Sequence, residues 1–159
     1  MIGNAALADC ICGGLLAAGF KDGLKLIEIT PQGAVEYMTA DMPFITMGGG
    51  KASADLFLGF LRKVFWPTAA PTIQEGALAA YWTVQHAIDM KVTGVGFGVD
   101  VFVVEPADKS YKARQLEDAE VAEHTDFVAA AEEAMRGVRE GLTKPPETSP
   151  PPEAPPTLQ

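Results

Sequence analysis

Three consecutive glycines, Gly48-Gly49-Gly50, separate the apolar stretch Phe44-Ile45-Thr46-Met47 from a run that opens Lys51-Ala52-Ser53-Ala54-Asp55. The pattern predicts a strand that enters a glycine corner and leaves as a helix. Glycine tolerates positive φ and lets a neighbouring backbone come close. The first turn of the helix also leaves free N–H groups at the same place. Such a corner joins two layers of a packed domain, and everything before and after it must fit that junction. Lys51 raises the question of phosphate binding, but the spacing fails. A P-loop needs a glycine five residues before its Gly-Lys pair and Ser or Thr after the lysine. Ile45 and Ala52 occupy those positions.

Upstream, residues 9–20 are apolar at odd and even positions, so a strand here needs cover on both faces. Lys21-Asp22-Gly23 suits a hairpin turn. Residues 24–30 alternate, with Leu24, Leu26 or Ile27, and Ile29 set around Lys25 and Glu28. Pro31-Gln32-Gly33 makes a second turn. A third strand over 34–38 resumes at 44–47 after Asp41-Met42-Pro43. The reading is an antiparallel meander.

Downstream, Phe57, Phe60, Leu61 and Val64 form a helical stripe over 54–65, closed by Trp66-Pro67. Thr72 and Glu75 form a capping box. The helix they start runs to about Met90, with Ile73, Ala77, Ala80, Tyr81, Val84 and Ile88 facing inward. A glycine-rich loop covers 91–98. The β-branched run 99–105 reads as a central strand, and 110–115 as a short one. Residues 117–139 read as an acidic, alanine-rich helix packed at the periphery, with Val121, Phe127 or Val128, Ala131, Met135 and Val138 inward. Residues 144–159 hold seven of the twelve prolines and read as a disordered tail. The domain reading is 1–115, 116–143 and 144–159.

Net charge −9 argues against nucleic acid as a partner. No apolar run is long enough to span a bilayer, and no basic segment precedes the first apolar stretch, so no secretory leader is expected. Cys10 and Cys12 are the only two cysteines and read as buried free thiols in a reducing cytoplasm. His86 and His124 fit no catalytic pattern and read as surface or satisfied histidines. No metal and no cofactor is expected.

The ordered set of motifs resembles the C-terminal half of proteasome-type subunits, members of the N-terminal-nucleophile (Ntn) hydrolase superfamily. The residues that carry it are Ile11-Cys12-Gly13-Gly14, Leu26 through Val35, and Thr46-Met47-Gly48-Gly49-Gly50. Glu75-Gly76-Ala77, Ile88-Asp89 and the stretch 94–103 complete it. The resemblance implies an α+β fold, part of a four-layer αββα sandwich, and a family activity of threonine-type peptide-bond hydrolysis. It places Gly49 where the family has a serine. It places Asp89 at a supporting aspartate, with Thr93 an approximate match to a further serine. The nucleophile and its base belong to the other half of the family's fold, and the first threonine here is Thr30. The chain is therefore expected to be inactive alone, and to self-associate or assemble with other proteasome-like subunits. The competing expectation is a stand-alone α/β binding or scaffold protein with a ligand at the glycine corner.

Overall fold

The computed structural model describes residues 14–20, 23–30, 33–39, 42–96, 98–108 and 110–143. Cys10, Cys12, the start of the first expected strand, parts of both hairpin turns and the proline-rich tail lie outside them. The chain is α+β. Its elements in order are β1 (Gly14–Phe20), β2 (Gly23–Ile29), β3 (Val35–Tyr37), α1 (Lys51–Phe65), α2 (Ile73–Asp89), β4 (Phe102–Ala107), β5 (Ser110–Gln115) and α3 (Asp118–Thr143).

β1, β2 and β3 form an antiparallel sheet in that order, and β4 and β5 form a second, two-stranded one. The meander therefore follows the expected order. Its second turn is held by Thr30. The Thr30 amide donates to the Ala34 carbonyl at 2.8 Å, and the Ala34 amide donates to the Thr30 hydroxyl at 3.1 Å. Gly33 adopts φ +81°, which few other residues could take.

Residues 44–47 do not form the expected strand. β3 is only three residues long, and the segment finds no ladder partner among the described residues. The Thr46 carbonyl is instead taken by the Lys51 ammonium at 2.8 Å. The run 99–105 is likewise not central. The strand starts at Phe102 and, among the described residues, pairs with β5 alone; Phe102 is 64% exposed while its neighbours Val101 and Val103 are buried. β-branching predicted extended backbone correctly but carried no information on how many neighbours the strand has.

α1 and α2 pack through an aromatic cluster. Phe57 meets Trp82 edge-on with ring centroids 5.8 Å apart, and it stacks on His86 at 4.2 Å. His86 is thus a packing residue. Leu61 is the fully buried side chain of α1, whereas Phe60 and Val64 of the expected stripe are exposed. On α2 the buried set is Ala77, Ala79, Tyr81, Trp82, Thr83 and Ala87, while Ile73 and Val84 are exposed. The inward face is shifted from the expected one: Ala79 and Trp82 are buried, Trp82 edge-on to Phe57 of α1, whereas Ala80 and Val84 are exposed. The capping box forms as read, with the Thr72 amide donating to Glu75 at 2.7 Å.

The chain divides into two compact units, residues 1–125 and 126–159. In the second, Met135, Val138 and Leu142 of α3 are exposed, so the expected inner face of this helix is largely open. Arg136 pairs there with Glu133 at 2.9 Å.

Leu61→Ala removes the one fully buried large side chain of the helix pair. Urea unfolding should show a loss of about 3 kcal/mol, in the range of large-to-small core substitutions.

Candidate functional site

The glycine corner is built from the backbone outward. Gly48 takes φ +92°, and the Lys51 amide donates to its carbonyl at 3.1 Å. Gly50 caps α1 without any side-chain hydrogen bond. The corner is pressed against the loop that follows α2. A Cβ on Gly49 would lie 2.9 Å from the Thr93 carbonyl oxygen and 3.5 Å from the Gly94 Cα. One on Gly50 would lie 3.0 Å from a Val95 methyl. Glycine at 49 is therefore required by packing, since the group it would meet is backbone. A pocket of about 280 Å³ opens beside this contact, lined by Gly48, Gly49 and Gly50, Gly94, and Thr83 and Val84 of α2.

A polar cluster lies on the strand side of the corner. Lys51, the first residue of α1, reaches Glu28 of β2 at 3.0 Å, and the Glu28 side chain is only 9% exposed. The same ammonium stands 3.7 Å from Asp55, one helical turn on. The Thr46 hydroxyl donates to Asp55, with the Lys51 carbonyl oxygen 3.3 Å away. Lys51 also offsets a charge conflict in the sheet. Glu28 is paired in register with Glu36 of β3, and like charges directly opposite each other destabilise a ladder. Burial lowers the Lys51 pKa, but the hydrogen bond to Glu28 and the fields of Asp55, Glu28 and Glu36 outweigh it and raise it above the ordinary lysine value.

Chemically, the cluster is an ion-pair clamp that fastens β2 to the start of α1. Its one hydroxyl is committed to a carboxylate. No group of three or more metal-ligating side chains occurs among the described residues. No helix among them is long and apolar enough to cross a membrane.

The residues singled out from sequence fall in two places. Gly49 and Thr93 are brought into contact. Asp89 is exposed near the end of α2 and accepts a hydrogen bond from Gln85 at 2.8 Å. His124 lies with its ring 6.0 Å from Tyr81. Sequence reading missed the clamp. Two signals pointed to it: the Lys51–Asp55 spacing of one helical turn, and Glu28, a carboxylate set between apolar neighbours in a strand.

Comparison with protein-family models, with curated proteins and with solved structures finds no match to this chain.

Lys51→Met should cost about 2 kcal/mol at neutral pH, between the values for exposed and for buried pairs. Most of that loss should disappear when Glu28→Gln is added, as a double-mutant cycle by urea unfolding would show. Because folding raises the Lys51 pKa, its contribution is complete below the ordinary lysine value of about 10.4. It is lost as pH rises through the higher folded value, so the wild type should lose more stability in that window than Lys51→Met.

Proposed function

We propose that this chain is a proteasome-like subunit or fragment of the Ntn-hydrolase type, derived from threonine peptidases but not catalytic by itself. The observation that carries the reading is the contact of Gly49 with Thr93 and Gly94. The resemblance assigns the glycine corner and the loop after α2 to one functional centre, and these two segments touch. On this reading Gly49 stands in for the family's serine, and a Cβ there would lie 2.9 Å from the Thr93 carbonyl oxygen. Asp89, the other carried-over position, is engaged by Gln85 on its own helix. The element order supports the same reading: an antiparallel meander, a glycine corner, two packed helices, a hairpin and a further helix.

In this reading the chain acts by assembly. Ile29 is 42% exposed, Val35 50% and Tyr37 59%, so β2 and β3 present apolar surface that an opposing sheet would cover in an αββα sandwich. The covering partner is a second copy or another proteasome-like subunit. The location that goes with this reading is cytoplasmic.

A second reading, a binding or scaffold protein, is favoured by the pocket of about 280 Å³ beside the glycine corner. It is wide enough for a small ligand and lined by glycines together with apolar side chains such as Met47, Val84 and Val95.

The purified chain should not cleave fluorogenic peptides in a manner sensitive to a threonine-directed inhibitor. Its mass by light scattering should exceed that of a 16.8 kDa monomer. Inhibitor-sensitive cleavage by the chain alone would refute the noncatalytic assignment, and a strict monomer would refute action by assembly.

A further inference from the structure

α3 carries a heptad pattern that the rest of the fold does not use. Val121, Val128, Met135 and Leu142 recur every seven residues, and Ala131 and Val138 fall three residues after the second and third of them. Alternate steps of three and four keep an apolar seam on one side of a helix that winds around another helix. Val128 is buried, but the seam opens towards the end of α3. Met135 is exposed there, Val138 is 66% exposed and Leu142 83%.

We propose that this seam is a self-association site, with α3 of a second copy of the chain lying antiparallel along it. Charge sets both the partner and the direction. Glu132 and Arg139 follow Ala131 and Val138 directly, so they flank the seam at equivalent positions of successive heptads. In two antiparallel helices related by a twofold axis, these flanking positions face one another. Glu132 then meets the partner's Arg139, and Arg139 meets the partner's Glu132. Parallel helices would instead set Glu132 and Arg139 against Phe127 and Ala134, which carry no charge. Both charges are open to the contact. Arg139 has no ion-pair partner among the described residues, and Glu132 stands 3.9 Å from Arg136, which Glu133 already takes at 2.9 Å. The same register matches side-chain volumes. Leu142 sits over the partner's Ala131, large against small, and Met135 over the partner's Val138. The flank opposite the charges holds Ala134 and Gly141, too small to keep the helices apart.

The contact uses a different element from the exposed β2–β3 surface and does not rest on the peptidase-like reading. To keep the two apart, the measurement is made on the full chain carrying Tyr37→Lys, which puts a charge on that sheet surface. Sedimentation equilibrium over a concentration series should show monomers and dimers in exchange, with a dissociation constant in the micromolar range that suits a small interface. Glu132→Arg or Arg139→Glu alone should weaken the dimer about tenfold, since two symmetry-related attractions become repulsions. An equal mixture of those two variants should form a heterodimer as tight as the parent dimer, and the chain with both reversals should self-associate like the parent. Val138→Lys should abolish the dimer and leave melting of the dilute protein unchanged, because Val138 is a surface residue in the single chain. A parent that stays monomeric throughout the series, as it would if the seam were covered from within the same chain, would overturn the proposal. So would charge reversals without effect, a mixture no tighter than its components, or a Val138→Lys chain that still dimerises.

Discussion

The architecture depends on one backbone-to-backbone contact, Gly49 against the Thr93 carbonyl and Gly94. The corner at the head of α1 and the loop at the tail of α2 are far apart in sequence, and the two helices between them pack side by side. Bringing both ends to one point fixes the helix pair as a unit. The contact tolerates no side chain, since a Cβ at 2.9 Å from a main-chain oxygen can be relieved only by moving backbone. That is why a glycine run, rather than a glycine and a capping serine, stands here. The price is a helix N-terminus without a side-chain cap, a loss of only about a few tenths of a kcal/mol compared with Ser, Thr, Asp or Asn, because glycine is itself a tolerated cap.

The clamp of Glu28, Lys51 and Asp55 complements that contact from the strand side. It ties the sheet to the first residue of α1, so the corner is held by packing on one side and by charge on the other. The carboxylate pair Glu28 and Glu36 would repel across the ladder without the lysine. Lys51 therefore has a structural use that accounts for its place after the glycines, where a phosphate-binding role failed on spacing.

Much of the chain's course was legible because it is written in local signals. Turn residues such as Gly33, the Thr72 and Glu75 box, and Trp66-Pro67 act within a few residues of themselves, and each boundary they marked lies close to where the structure puts it. What failed were judgements about neighbours. Residues 44–47 look like a strand but have no partner to pair with among the described residues. The run at 99–105 looks central but lies in a two-stranded sheet. The inward face of α2 turned because the bulky Trp82 took the place beside Phe57. The candidate site shows the same division. Gly49 was legible as a special position, yet its cause, the Thr93 carbonyl more than forty residues on, is a tertiary fact. The pairing of Glu28 with Lys51 spans 23 residues, so Glu28 stood out as a carboxylate among apolar neighbours while its partner could not be read locally.

The most direct test of this account is the stability of Gly49→Ser, set beside Gly59→Ser as a control whose Cβ would meet nothing within 4 Å. If the corner is held by close backbone approach, urea unfolding should show Gly49→Ser destabilised by about 1–3 kcal/mol, the cost of overpacking, and Gly59→Ser essentially unchanged. A Gly49→Ser protein as stable as the wild type would contradict the account, because the corner would then have room for the side chain that the contact is said to exclude.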